Sequence, residues 1–251
     1  MRRDPLACDA CAVRDRAACA ALDSDARREL AKFGHRRRLK RGETLFAAGD
    51  ENAMTATLTK GVLKVSTFDG DGTEHIVSLI HPAGFAGELF SPHAAHDIVA
   101  LTDVELCVFP RAQYELALQR FPELGMALLR RSSQDLAESR RLLAAVTGRS
   151  AMQRVGGFLM ALARAANDTE CHPAREFDLV LSRGEIGSLL GLTIETVSRQ
   201  LTKLEKDGVI RRQGARGIKL EDAARLGKLA ELVDQAGDCR DRHSFMGLGT
   251  P

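Results

Sequence analysis

The sequence predicts an α+β chain: a strand-rich first half, one long helix, and a small helical domain that closes on a β-hairpin. Three observations carry this. From about His35 to Phe109, the short apolar or alternating runs GETLF, GVLKVSTF, EHIVSLI and IVALTDVELCVF are separated by the turn-forming AGDENA, DGDG and HPAGFAG. From Pro122 to Val146 apolar residues recur at helical spacing. From Ser182 to Gly208 two short helical patterns meet at Gly191, and VIRRQGARGIKL after them reads as two strands around Gly214–Gly217.

Composition bounds the function. The 251 residues suit two modest domains, at the usual ~100–200 residues each. A hydrophobic content of 44% with 28% charge is the profile of a soluble globular protein. No apolar run approaches the ~18 residues of a membrane span. The start MRRDPLACDAC lacks the apolar stretch of a signal peptide, so a cytoplasmic location without membrane contact is expected. Six cysteines there are reduced thiols, and their clustering then points to metal or redox chemistry. The net charge of +2 requires any affinity for a polyanion to come from local patches. No G-x-G-x-x-G loop and no nucleophile–base constellation is present, so no enzyme is expected.

In chain order, residues 1–22 form an arm carrying Cys8, Cys11 and Cys19 at C-x2-C-x7-C spacing. The arm is rich in alanine and arginine with little apolar periodicity, so packing does not explain its thiols. Such spacing suits structural zinc, an iron–sulfur centre or a thiol redox pair, and incidental cysteines are the remaining reading. Residues 23–121 hold the strands, in which Cys107 (DVELCVFP) reads by itself as a small buried residue. Arg111 to Arg120 is a short helix closed by Phe121-Pro122. In the long helix of segment 122–147, Met126, Leu129, Ser133, Leu136, Arg140 and Leu143 follow 3-4-3-4-3 spacing. That is a self-pairing seam of about three heptads, against the alternative of a helix lying on its own domain. Asp135, Glu138 and Arg140 at its lower end fit a marginal seam better than a dry core.

Gly148 interrupts the pattern and is the expected boundary of a domain at 148–222. MQRVGGFLMALARAA is its first helix, Asn167 to Arg175 a polar loop with Cys171, and FDLVL a short strand. Ser182 and Glu185 make a capping box, Gly191 permits the sharp turn, and Thr193 caps the second helix. Counted from Ile194, Val197, Leu201 and Leu204 fall at roughly 280–340°, whereas Glu195, Ser198, Arg199 and Thr202 fall at roughly 40–140°. One face is core and the other a compact set of base-reading groups: Arg forks onto guanine, Glu accepts from cytosine, Ser does either. Between Ser182 and Lys219 eight basic residues face four acidic ones. Arg183 and the hairpin arginines Arg211, Arg212 and Arg216 are candidate phosphate contacts on double-stranded DNA. Residues 223–251 hold one helical stretch, AARLGKLAELVDQA, and a polar end whose last dozen residues are expected to lack structure. Cys171 and Cys239 lack partners at metal spacing.

The segment GEIGSLLGLTIETVSRQLTKLEKDGVI resembles the winged helix-turn-helix of the cAMP receptor/fumarate-nitrate reductase regulator (FNR) superfamily. Glu195, Ser198 and Arg199 look like the E-x-x-S-R of the FNR branch; Ile194 stands where the cAMP receptor branch has an arginine. The resemblance spans about Cys8 to Leu220. It implies a cyclic-nucleotide-binding-like β jelly-roll, a dimerisation helix and a homodimer on inverted TTGAT-type half-sites. It also implies a four-iron four-sulfur (4Fe-4S) cluster on Cys8, Cys11, Cys19 and, in the late strand, Cys107. The best-known members have C-x2-C-x5-C; the longer gap here resembles a variant that also answers to low oxygen. Family analogy implies RNA polymerase as a partner through the loop at Asp69–Gly72. GFAGEL looks like part of a nucleotide-phosphate cassette, with Gly87 and Glu88 at the ribose positions. Where the cassette needs arginine and serine stand His96 and Asp97, and no arginine lies between Gly61 and Pro110. No cyclic nucleotide is therefore expected. The expected function is an oxygen-responsive transcriptional regulator. Zinc, thiol or nitric oxide sensing on the same fold is the near alternative, and an iron–sulfur electron-transfer protein the distant one.

Overall fold

In the computed structural model, which describes residues 4–166 and 173–230, the chain divides into two compact units. The first runs to Leu136; the second starts at Ala137 and includes Glu74–Ile76. The division falls inside the long helix and not at Gly148, because a continuous helical pattern does not record where packing partners change. Gly148 does end the helix: its φ of +73° is the left-handed conformation that follows a helix C-terminus.

In the first unit the arm, with short 3-10 turns at Cys8–Ala10 and Ala18–Ala21, leads into a helix that the sequence does not predict, α1 (Ser24–Phe33). Its signal was present in Asp23, whose carboxylate accepts from the N–H groups of Asp25 (3.0 Å) and Ala26 (2.8 Å). Eight strands follow: β1 (His35–Leu39), β2 (Thr44–Phe46), β3 (Met54–Lys60), β4 (Leu63–Phe68), β5 (Glu74–Ile80), β6 (Phe85–Ala86), β7 (Asp97–Ala100) and β8 (Val104–Pro110). They form two four-stranded sheets, ordered β1-β8-β3-β6 and β2-β7-β4-β5, the expected jelly-roll. Leu39, Leu45, Leu58, Leu63, Leu106 and Val108 fill the space inside.

Three strands escaped the sequence: the two-residue β6, inside HPAGFAG, and β1 and β3. β1 is HRRRL, whose three arginines hide any alternation; it is an edge strand, with Arg38 Nε 3.2 Å from Glu105 on β8. β3 is MTATLTK, where Ala56 and Leu58 enter the core and the threonines alternate with them. Conversely, the run IVALTDVELCVF is two strands in different sheets. Leu101 at the corner is buried, which disguises the break as apolar continuity. The corner closes on Gly61: at φ +87° a Cβ there would stand 2.5 Å from the Asp103 carbonyl oxygen.

After the strands come α2 (Arg111–Arg120) and α3 (Pro122–Val146), with the predicted bounds. The outer face of the β1-β8-β3-β6 sheet is covered by a second apolar cluster that includes Leu22, Leu30, Phe109, Tyr114 and Leu124. On α3, Leu124 packs inward, while Met126, Leu129, Leu136 and Leu143 are each more than half exposed. Ser133 and Arg140 are exposed with them. The 3-4 seam is thus a different face from the one that meets the jelly-roll.

The second unit contains α4 (Ala151–Ala165), β9 (Glu176–Asp178), α5 (Arg183–Leu190), α6 (Ile194–Lys206), β10 (Ile210–Gln213), β11 (Gly217–Leu220) and α7 (Ala223–Leu229). Ser150 and Gln153 form a capping box at the start of α4, as Ser182 and Glu185 do at α5. Phe158, Leu159, Ile186, Val197, Leu201 and Leu204 are buried. The sheet order is β10-β11-β9; β9 ends before Leu179 and shares only Phe177 and Asp178 with the strand read in FDLVL. Cys171, Cys239 and the last dozen residues lie outside the described residues. Among the described residues no helix is long and apolar enough to cross a membrane.

Candidate functional sites

The turn between α5 and α6 is made by Gly191 at φ +62°, whose N–H donates to the Gly187 carbonyl. Thr193 then starts α6, its hydroxyl accepting from the Thr196 N–H at 3.2 Å. With Val197, Leu201 and Leu204 fully buried, Glu195 and Arg199 lie exposed and Ser198 and Thr202 half-exposed on the other face. Arg199 Nη2 donates to Thr196 Oγ1 at 3.2 Å, which extends the guanidinium along the helix start. The Glu195 carboxyl is held below the ordinary range by its own backbone N–H and the Thr193 hydroxyl, so it is a ready acceptor. This is the set of groups the helical wheel placed together.

The wing arginines divide. Arg212 forks onto Glu205 of α6: Nε donates to Oε2 at 2.8 Å, Nη2 to the same oxygen, and the backbone N–H to Oε1 at 3.1 Å. Arg211 Nε lies 3.1 Å from Glu221. Arg216, in the turn between β10 and β11, is exposed, and neither it nor Arg183 has a side-chain partner among the described residues. Arg212, a candidate phosphate contact in the sequence, is here the strut that fixes the wing to α6. Sequence spacing cannot reveal this, because a residue on α6 and one on β10 become neighbours only through the intervening turn.

The cysteines converge. In β8, Val104, Leu106 and Val108 point into the jelly-roll, so the alternate residue Cys107 lies on the outer face. There it joins Cys19 in the apolar cluster beneath α1 and α2. Cys11 and Cys19 pack beside Val13, Ala17 and Ala83. The arm, despite its weak apolar periodicity, is anchored by Val13 and Ala17, which are almost wholly buried. Their spacing (i, i+4) was the available signal. Burial, and then the charges of Cys11, Cys8 and Cys19, push the Cys107 thiol up to about 12. Burial and then Cys11 and Cys8 raise Cys19 likewise, and Cys8 is raised by burial and then Cys11. The four thiols therefore lie close enough to disfavour one another's ionisation. They share one locality without standing at ligand distance, since no three such groups among the described residues form a metal-binding array. The chemistry of the set fits a thiolate-bound metal or iron–sulfur group.

Two family models match the chain: a cyclic nucleotide-binding domain over residues 36–121 and a Crp-like helix-turn-helix domain over 153–229. The transcriptional activator protein FnrL of Cereibacter sphaeroides is 32% identical over 237 residues, covering 93% of each chain. The chain belongs to the CRP/FNR superfamily of transcriptional regulators. This CRP/FNR protein is also 32% identical to the nitrogen fixation regulation protein FixK of Bradyrhizobium diazoefficiens, over 89% of its own length and 93% of that relative's. It is 29% identical to the transcriptional activator protein anr of Pseudomonas aeruginosa, over 83% and 84% of the two lengths. Among solved structures, FixK2 from Bradyrhizobium japonicum has the same fold with a TM-score of 0.68 at 24% identity, over 78% of this chain and 96% of that one. As a member of that superfamily the protein is a DNA-binding regulator, and α5 and α6 lie within its matched helix-turn-helix domain.

Within the nucleotide-binding-like domain of this CRP/FNR protein, Glu88 is engaged by neighbouring residues of the chain. The Glu88 carboxylate faces His96 Nδ1 at 3.0 Å and accepts from the Ala95 N–H at 3.2 Å. Asn52, almost wholly buried, donates through its side chain to the Glu88 and Ser91 carbonyls.

Proposed function

We propose that this CRP/FNR regulator controls transcription in response to oxygen. A 4Fe-4S cluster would be held by Cys8, Cys11, Cys19 and Cys107, and a homodimer would read inverted TTGAT-type half-sites. The observation that carries the reading is the placement of Cys107 on the outer face of β8, within electrostatic reach of the three arm thiols. When bound, such a cluster supplies an oxygen-labile link between arm and strand.

The chain's own residues supply the rest. Val13 and Ala17 seat the arm on Ala83, next to Gly84. A Cβ on Gly84 would stand 3.4 Å from Arg131 Nη2 on α3, and Arg131 pairs with Asp135 at 3.0 Å. A change in how the arm sits therefore reaches α3 through one loop. The exposed stripe of Met126, Leu129, Ser133, Leu136, Arg140 and Leu143 is the self-pairing face. A coupling of ~1–3 kcal/mol is enough to shift association ~5–150-fold. Two-fold pairing sets the recognition helices about one DNA turn apart, as an inverted repeat requires. Glu195, Ser198 and Arg199 read bases; Arg183 and Arg216 meet phosphates. The exposed Asp69–Thr73 turn, closed by the Asp69 carboxylate on the N–H groups of Asp71 and Thr73, is the surface offered to RNA polymerase. The contacts of Glu88 with His96 and Ala95 support a signal other than cyclic nucleotide.

The test is anaerobic purification with assays for iron and acid-labile sulfide and a visible spectrum, followed by binding to a TTGAT duplex before and after air. The reading expects both elements, a visible charge-transfer band that bleaches in air, and tight binding only before exposure. Zinc without sulfide would favour a zinc-based regulator. Bleaching by nitric oxide but not oxygen would change the signal. Equal DNA binding in both states would refute the coupling.

A further inference from the structure

Besides apolar packing, the arm is joined to α1 by the guanidinium of Arg27. Arg27 Nε donates to the Cys19 carbonyl at 3.2 Å and its Nη2 to the Leu22 carbonyl at 2.8 Å. Those two acceptors bracket the turn that delivers the Cys19 side chain into the cluster it shares with Cys107. Asp23 fixes the start of α1 and hence the place from which Arg27 reaches back. Arg27 has no carboxylate partner among the described residues, so its charge is not consumed by an ion pair. The adjacent Arg28 behaves oppositely: it is exposed and paired with Asp25.

We infer that Arg27 is a positioning residue for the cysteine centre. Its fork on the Cys19 and Leu22 carbonyls aims the third arm thiol at Cys107, and its unpaired cation offsets the negative charge of the assembled thiolates. The inference rests on reading the four cysteines as one ligand set. Four thiolates around a divalent ion, or around an iron–sulfur core of the same charge, leave a net dianion. A cation held next to that dianion stabilises it, and the planar fork does what an ammonium cannot, gripping two carbonyls at once.

The experiment uses the full-length protein, reduced and free of oxygen. The metal-free chain is titrated with cadmium alone, followed by sulfur-to-cadmium charge-transfer absorption, for wild type, Arg27→Gln, Arg27→Lys and Arg28→Gln. Arg27→Gln should weaken cadmium binding about 10–100-fold, the usual effect of losing a group that orients metal ligands. Arg28→Gln should bind as wild type, and Arg27→Lys, which keeps the charge without the fork, should fall between. In parallel each protein is loaded with iron and sulfide and titrated reductively. Arg27→Gln should shift the midpoint potential downward, because the added electron loses a cationic neighbour; Arg27→Lys and Arg28→Gln should shift it less. A purely structural role would not order the potentials in this way. Equal cadmium affinity of Arg27→Gln and wild type, equal losses in Arg27→Gln and Arg28→Gln, or no cadmium binding by wild type would each overturn the inference. If Arg27→Gln fails to fold, judged by circular dichroism, wild-type affinity and potential in Arg27→Lys would discard the fork. Cadmium ratios as expected with no iron–sulfur assembly on wild type would sink the oxygen reading and leave Arg27 in its place.

Discussion

Side chains on α6 and the wing have separable jobs. Arg199 extends along the free face, and on the proposed base-reading role Arg199→Ala should cost about 1–3 kcal/mol at one base pair while relaxing the choice there. Binding to duplexes substituted position by position checks it. Arg216 and Arg212 differ only in what faces them. Arg216→Gln should lower the salt dependence of DNA binding by about 1 in log–log slope, the loss of one phosphate contact. The charge-neutral pair Glu205→Gln with Arg212→Gln should leave the slope unchanged, because that arginine already serves Glu205. Binding across a salt series decides between them. A changed slope in the double variant would return Arg212 to the phosphates. The contrast was not legible in VIRRQGARGIKL, where all three arginines look alike.

At the scale of elements, α3 presents two faces with different consequences. Leu124 is wholly buried against α2 and the outer sheet face. Leu124→Ala should therefore lower the unfolding free energy by about 2–5 kcal/mol, the range for a core leucine. Leu136 is half exposed, and Leu136→Glu should leave the melting temperature near wild type while it weakens self-association, read by sedimentation. A dimer that survives Leu136→Glu would remove the seam. This helix was legible end to end because its period is local and Pro122 and Gly148 punctuate it. β1 was not: an edge strand of three arginines gains its place from Glu105 and from backbone pairing with β8, neither of which leaves a period in the sequence. The split of IVALTDVELCVF was hidden for the opposite reason, since a buried corner residue continues the apolar run.

For the whole molecule, the grouped thiols make stability depend on pH. An unfolded thiol ionises near 9.0, whereas burial and its neighbours hold Cys107 protonated up to about 12. Between those values the folded chain keeps a proton that the unfolded chain releases, so stability of the metal-free protein should fall as pH rises. Tyr114, raised by burial and then by Cys19, adds in the same direction. Thermal melts of the metal-free protein across that window check it, and Cys107→Ser should flatten the slope. Metal uptake reverses the sense, because the ligands must lose their protons, so loading should weaken as pH falls.

What the residues alone determined was everything with a short period or a fixed spacing. The Ser182 capping box, the glycine turn, the two faces of α6, the stripe on α3 and the alternation in β4 and β5 all depend on neighbours within a few positions. The three arm cysteines could be read as a set for that reason, but Cys107 joined them only by resemblance. Tertiary structure decided which face of β8 carries Cys107, which arginine of the wing stays available, and that Arg27 rather than Arg28 grips the arm. Each of those choices depends on groups far apart in the chain coming within a few ångströms, and proximity of that kind is created by packing and leaves no mark on sequence order.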